Sequence, residues 1–274
     1  MILKALYDYY HAVKDMPPLG MEDVEIAYII VIDKNGNVKR IESTKKDDGN
    51  FAKFLVAKNV DRSSDITPNI LYDNIEYALG LCKETDVKKR LKAEKKHRAF
   101  AQKVDNIAEH NVNDDSLYAL KKFLKKPSEV FLTELEQDIL YKEIAKASNT
   151  TYITFQLSGE DEIIAEKAYL YKYLIEEKYY NSQAKQGICL ITGNKGLIAR
   201  TISKIKLPFE KSATMVGAQV DCGYDSYGKE QAFNSPISLE AEFAFTTALN
   251  SLCKNNSKNN VRIGNRSFIY WCSK

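Results

Sequence analysis

The stretch Ile26-Ala-Tyr-Ile-Ile-Val-Ile32-Asp-Lys-Asn-Gly36-Asn-Val38-Lys-Arg-Ile41 decides the fold class. Its first seven residues are a β-rich apolar run, and a second, shorter run follows the polar tetrad Asp33 to Gly36. Asn35-Gly36 between two such runs is the strongest short-range hairpin signal, because both residues of the expected turn need positive φ. The sequence therefore predicts a β-hairpin near the N-terminus. Phe54-Leu-Val-Ala57 is expected to add a third strand to the same sheet.

Before the hairpin, Leu3 to Val13 carries apolar residues at helical spacing and predicts a short amphipathic helix, stopped by Pro17-Pro18 and Gly20. After it, Asp61 to Asn69 is polar, contains Pro68 and reads as a loop. Ile70 to Leu81 reads as helical or turn-like, with Gly80 as its terminator. From Lys83 to Lys103 nine Lys/Arg stand against Glu84, Asp86 and Glu94. Leu91, Phe100, Val104 and Ile107 suggest one long helix with a buried stripe and a basic solvent face. Helices are also expected over Leu117 to Leu124, ending near Pro127, and over Glu129 to Ala147.

Sheet signals return at Tyr152 to Leu157, followed by a turn at Ser158-Gly159. A helix is expected over about residues 163–178, and Gly187 to Thr192 reads as a strand turned by Asn194-Lys195-Gly196 toward Leu197-Ile-Ala199. Met215 to Asn234 is loop-like. After Pro236 the spacing of Ala241, Ala244, Phe245, Ala248, Leu249 and Leu252 predicts a helix. Lys254 to Asn260 is polar, and a last strand, Ser267 to Trp271, follows Gly264-Asn265. No internal repeat is visible. The expected class is α+β, a mixed or antiparallel sheet with a helical insert. Its parts are 1–82 with the hairpin, 83–148 as the basic helical insert, and 149–274 as a second α/β part on the same sheet of one large domain.

Composition narrows the function classes. Of 274 residues 44% are hydrophobic and 11% aromatic, which excludes disorder as the main state. No apolar run approaches the roughly 20 residues that span a bilayer, and the N-terminus shows no secretory h-region, so the chain reads as cytoplasmic without a membrane partner. Five cysteines lie far apart and only three histidines are available, so a Cys/His zinc site is not expected. Reduced thiols packed as small hydrophobes are the better reading.

The candidate sites divide by chemistry. A Lys/Arg-rich helix face can neutralise phosphates, although most charge runs are solvated faces. Gly193-Asn-Lys-Gly196 has the form of a G-x-x-G backbone grip, but a hairpin turn is the commoner meaning and no P-loop spacing is present. The acidic clusters Glu160-Asp161-Glu162, Asp47-Asp48 and Asp114-Asp115 sit beside turn residues, where solvated acids are expected, and His97 and His110 have no visible catalytic partner. Two loops are richer. One runs from Arg62 to Asn69 and on to Asp73-Asn74; the other runs from Gly217-Ala-Gln219 to Asn234-Ser-Pro236. Amides can pair with base edges, Lys and Ser can hold phosphates, and Tyr can stack.

Several segments, in order along nearly the whole chain, resemble the large subunit of the type I-C (Dvulg subtype) CRISPR Cascade. They are Leu6-Tyr-Asp-Tyr-Tyr10 with Pro17-Pro18-x-Gly20; Thr67-Pro-Asn-Ile-Leu-Tyr-Asp-Asn74 with Tyr77, Leu79 and Gly80; and Cys189-Leu-Ile-Thr-Gly193 with Ile198-Ala-Arg200. The most specific is Ser226-Tyr-Gly-Lys-Glu-Gln231 with Asn234-Ser-Pro-Ile-Ser238, running into Ala244-Phe-Thr-Thr-Ala-Leu-Asn250. The subunit it resembles is a considerably longer chain, so these residues are expected to be its N-terminal domain, or else a shortened variant.

The resemblance implies a non-catalytic subunit without a cofactor. Such a subunit sits beside the one holding the crRNA 5′ handle, with backbone and small subunits nearby. It recognises the protospacer-adjacent motif in double-stranded target DNA, aids unwinding and recruits a helicase-nuclease, while base pairing with crRNA reads the rest of the target. Side-chain chemistry and position then assign motif sensing to Asn69, Asn74, Gln219, Lys229, Gln231 and Asn234. Backbone grip falls to Lys58, Arg62, Lys88, Lys89, Arg90 and Lys96. The alternatives are a nuclease or crRNA-processing ribonuclease, which needs a convergent His or carboxylate set, and a protein-docking module built on the tyrosines at 7–10 and 169–180.

Overall fold

A computed structural model describes residues 1–60, 62, 66–84, 86–110, 113–176, 184–207, 212–217, 225, 228–254, 257–264 and 266–272. The chain divides into two compact units, Met21–Leu174 and Met1–Gly20 with Ile175–Lys274. The class is α+β, with a mixed sheet, an N-terminal hairpin and helical segments, as the sequence predicts.

In the unit Met21–Leu174, the apolar run at 26–32 becomes the second half of a long strand, β1 (Met21–Ile32). It is buried throughout, because it lies between β2 (Val38–Ser43), paired antiparallel, and β5 (Tyr152–Leu157), paired parallel. The first half of β1 pairs antiparallel with β3 (Lys53–Ala57), and β4 (Tyr72–Asn74) pairs antiparallel with β5. The hairpin forms through a different turn from the one expected. The N–H of Gly36 donates to the Asp33 carbonyl at 2.8 Å and the N–H of Asp33 to the Asn37 carbonyl at 2.9 Å. Gly36 alone in the loop has positive φ, at +76°. This is a type I turn followed by a left-handed glycine, with a bulge where Val31 faces Arg40 and Ile32 faces Val38.

The helical layer holds α2 (Ile75–Ala78), α3 (Val87–His110), α4 (Asp115–Lys125), α5 (Ser128–Glu136) and α6 (Tyr141–Lys146). It packs on β5 through aromatic rings. Phe155 lies 5.3 Å from Phe123 and 6.4 Å from Phe100, and Phe123 lies 4.9 Å from Phe131. The buried stripe of α3 is Ala93, His97, Phe100, Val104 and Ile107. Leu91, expected in that stripe, is 50% exposed, because it projects from the opposite side of the helix.

Two further expectations are corrected. The single helix over 129–147 is broken between α5 and α6. Asp138 is diverted from helix to sheet: its carboxylate accepts the N–H of Ile41 at 2.7 Å and of Leu140 at 2.9 Å, while Glu134 accepts the N–H of Val38 at 2.8 Å. These carboxylates satisfy the outer N–H groups of the edge strand β2. The helical or turn-like stretch from Ile70 begins instead as β4. Only then does it turn into α2, whose end is marked by left-handed Gly80. After β5, a 3-10 turn at Ile164–Glu166 precedes α7 (Ala168–Ile175).

In the other unit, α1 (Ile2–Ala12) packs on α8 (Leu239–Cys253), with the Tyr10 and Phe243 rings edge-on at 5.9 Å. All six apolar positions expected to face inward on α8 are buried, and so are Phe243 and Thr246. Glu242 is buried too, its carboxylate accepting the N–H of Ser203 at 2.8 Å. Among the described residues the strands here form three two-stranded antiparallel sheets: β6 (Gln186–Ile188) with β7 (Lys195–Leu197), β8 (Lys204–Ile205) with β9 (Ala213–Thr214), and β10 (Asn260–Ile263) with β11 (Arg266–Ile269). The polar appearance of the tract before β10 concealed that strand from the sequence reading.

Candidate nucleic-acid interface

The Asp86 carboxylate accepts the N–H of Lys89 at 3.0 Å and so starts α3. Lys88, Lys89 and Arg90 follow with no acid in the first turn, at the helix end whose dipole disfavours cations. Lys88, Lys92, Lys95 and Arg98, spaced i, i+4, i+7 and i+10, are exposed and project opposite the buried stripe. Lys89 pairs with Glu84, the Arg90 Nε donates to the Glu84 carbonyl at 3.3 Å, and Arg98 lies 3.8 Å from Glu94. These exposed pairs are weak and readily exchanged for other anions. Lys96 is different. It is 19% exposed, pairs with Glu76 at 16% exposure, and lies 5.3 Å from the Tyr77 ring centroid, so it ties α3 to α2.

The loop between β3 and β4 is braced from inside. Arg62 donates from Nη2 to the buried Asp73 carboxylate at 2.5 Å and from Nε to the Thr67 carbonyl at 2.8 Å. Burial pushes the Asp73 carboxyl above its ordinary range, while Arg62 and the N–H groups of Asn69 and Asn74 oppose that push. The Asn69 amide is buried, accepting from the Val60 N–H at 3.1 Å and donating to Asn59 at 2.9 Å. The Asn74 amide caps α2 by accepting from Glu76 and Tyr77 N–H groups, and donates to the Asn149 carbonyl at 3.0 Å. Lys58 is half-buried and engaged in interactions of its own.

In the second loop, Gln219 lies outside the described residues, as do Ser226 and Tyr227. Lys229 is exposed, and its carbonyl accepts from Asn234 Nδ2 at 2.8 Å. Gln231 has φ of +50°, in the sparsely populated left-handed region for a non-glycine residue. It is held there by its N–H donating to Asp225 at 2.9 Å, and its Oε1 accepts from Arg200 Nη1 at 2.8 Å. The fold thus gathers Lys229, Gln231 and Asn234 around the 3-10 turn Gln231–Asn234 and adds Arg200, to which the sequence assigned no site role. Lys185 Nζ, also missed, lies 4.8 Å from the Phe233 ring centroid. No local signal links Arg200 to Gln231 across 31 positions.

Other candidates take structural places. Gly193 is the left-handed corner of the β6–β7 turn and Gly196 lies within β7. A cleft of about 110 Å³ beside it is lined by both Lys195 and Glu240, and so has no consistent charge preference. His97 is buried with Nδ1 3.0 Å from the Tyr77 carbonyl oxygen, and His110 Nδ1 lies 2.7 Å from the Asn106 carbonyl oxygen. Asp114 caps α4, Asp48 accepts from the Asn50 N–H, and Glu160 pairs with Lys167. Among the described residues, no three His, Cys, Asp or Glu lie close enough to hold a metal ion, and no helix is long and apolar enough to cross a membrane. Tyr7, Tyr9 and Tyr10 pack against the core of their own unit, as Tyr169 and Tyr173 do in theirs. Residues 177–180 lie outside the described residues.

The sequence profile of the CRISPR-associated protein (Cas_Csd1) family matches residues 6–274, and the chain belongs to that family. It is accordingly a CRISPR-associated, Cascade-type protein. A search of the curated proteins found no match to the chain.

Proposed function

We propose that this chain acts as a non-catalytic large-subunit component of a crRNA-guided surveillance complex. Its role there is to read the protospacer-adjacent motif in duplex DNA, assist duplex opening and offer a surface to the helicase-nuclease. Family membership supports the setting. The observation that carries the DNA-binding part is the exposed row of Lys88, Lys92, Lys95 and Arg98 along one side of α3. Among the described residues the acid partner in this row, Glu94 beside Arg98, is exposed and exchangeable; such a row of cations suits a row of phosphates, and each phosphate neutralised releases counterions.

Phosphate contacts position a protein, and base contacts specify the sequence. In this reading α3, together with Lys89 and Arg90, supplies the grip, and the turn bearing Lys229, Gln231 and Asn234 supplies the motif contact. Gln231 is the favoured base reader, because Arg200 fixes its Oε1 and leaves its Nε2 to donate to a base acceptor. Asn69, Asn74, Arg62 and Lys96 contribute by holding the loop and α2 in shape, with Lys58 at the loop's start.

The test is binding to a library of short duplexes differing in the motif. Gln231→Ala is expected to relax discrimination by about 1–3 kcal/mol while leaving affinity for unrelated duplexes unchanged. Unaltered discrimination removes Gln231 as the reader.

A further inference from the structure

We propose that the outward face of the β10–β11 hairpin is a stacking platform for single-stranded nucleic acid. Val261 stands opposite Phe268 and Ile263 opposite Arg266. Alternate residues of a strand share a face, so Val261, Ile263, Arg266, Phe268 and Tyr270 form one surface. That surface is open: Val261 is 45% exposed, Ile263 64%, Phe268 50% and Tyr270 53%. On the other face Ile269 packs against the core of its unit, as does Trp271 beyond it, while Arg262 and Ser267 at the hairpin tip are exposed. The backbone that carries Tyr270 is also fixed. Tyr270 N–H donates to the Asn259 carbonyl at 3.1 Å, and Asn259 Nδ2 donates back to the Tyr270 carbonyl at 2.9 Å.

Charge indicates the occupant. From Phe243 to Lys274 the chain contains no Asp or Glu, whereas Lys254, Lys258, Arg262, Arg266 and Lys274 are all cationic. The complement of this ribbon is an anion that also offers flat apolar faces. Single-stranded nucleic acid provides both, because every base presents a π-face while phosphates meet the cations. An acidic peptide matches the charge but gives the rings no stacking partner. Phe268 and Tyr270 lie two residues apart, about 6.6 Å along a strand and about twice the per-strand rise of stacked nucleotides, so each ring can take a base of an extended strand. The inference deepens the DNA-binding reading above, and rests on it for the source of the strand, which duplex opening would supply.

The experiment uses the full chain with a labelled oligothymidylate of about 16 nucleotides and a mixed-sequence duplex of the same length. The wild-type chain is expected to bind the oligothymidylate. Phe268→Leu and Tyr270→Leu should each weaken that binding about tenfold, and Phe268→Trp should retain it. Duplex affinity should be unchanged by all three. A photoreactive oligothymidylate on the unaltered chain should crosslink within residues 259–271, a readout independent of how any variant folds. Crosslinks elsewhere, no oligothymidylate binding, or equal competition by polyglutamate would overturn the proposal, the last in favour of an acidic protein partner. Loss of duplex binding with oligothymidylate binding intact would remove the reading of α3 and leave the platform standing.

Discussion

The guanidinium of Arg62 meets the carboxylate of Asp73 at 2.5 Å and lies 4.2 Å from the Tyr77 ring centroid. A residue whose sequence context suggests a grip on DNA is thus bonded to a fully buried acid. Removing one member of such a pair strands the other charge in a poorly solvated site. Arg62→Ala is therefore expected to cost about 3 kcal/mol, the low end of the buried-pair range because Arg62 keeps some solvent access. Arg62→Lys should recover only part, since an ammonium lacks the planar fork and its stacking. Urea unfolding measures both; a midpoint unchanged in Arg62→Ala would show that the pair does not hold the loop.

Gly36 is one of the points where the hairpin touches the helical layer. A Cβ there would lie 2.5 Å from the Phe123 nitrogen and 2.9 Å from the Ala119 carbonyl oxygen, and φ is +76°. Gly49 makes the natural control, with φ of +85° and nothing within 4 Å. Gly49→Ala should cost only the left-handed backbone penalty, about 1 kcal/mol, whereas Gly36→Ala must also displace backbone of α4 and should cost about 3 kcal/mol or more. Equal losses in the two variants, read from thermal midpoints, would mean that the hairpin is not seated on α4.

Two groups give the unit Met21–Leu174 an acid sensitivity in separate windows. Burial pushes His97 below the ordinary imidazole range, opposed by its contacts to the backbone at Tyr77 and Ala78. The unfolded chain therefore binds that proton more readily, and stability falls as pH drops from about 6.5. Burial raises the Asp33 carboxyl, but hydrogen bonds from Asn37 and Asn35, and from Lys39, outweigh it and hold the group at about 2. Its contribution is complete above the unfolded value near 3.8 and is lost as pH falls toward 2. Stability measured against pH should show both declines. His97→Phe should flatten the upper decline and Asp33→Ala the lower one.

Much of the fold was legible because the decisive signals are local. The apolar run at 26–32 and the cation-rich α3 announce themselves whatever surrounds them. The misses are tertiary. The hairpin turn departs from the two-residue type because a bulge resets the register of β2. The three residues of β4 are too few for any periodicity and exist because β5 pairs with them. Asp138 breaks a helix to serve a strand 97 positions earlier. The candidate site divides in the same way. Exposed Lys88, Lys92 and Lys95 belong to a visible basic run, but Lys96 looks identical in sequence and is claimed by Glu76, 20 positions away. Asn69 and Asn74 carry the right amides for base contacts, yet neighbouring backbone groups engage them.

The contrast between Lys95 and Lys96 supplies the most direct test. Affinity of the full chain for duplex DNA should be titrated against salt for the wild type, for the combined Lys88→Gln, Lys92→Gln and Lys95→Gln variant, and for Lys96→Gln. Steep salt dependence is expected in the wild type. In the triple variant the log–log slope should become shallower by about 0.9 for each phosphate that is no longer neutralised, whatever the duplex sequence. Lys96→Gln should leave the slope unchanged and lower the unfolding midpoint instead. A wild-type chain whose duplex binding is absent or indifferent to salt, or a triple variant with the wild-type slope, would contradict the proposal that α3 grips DNA.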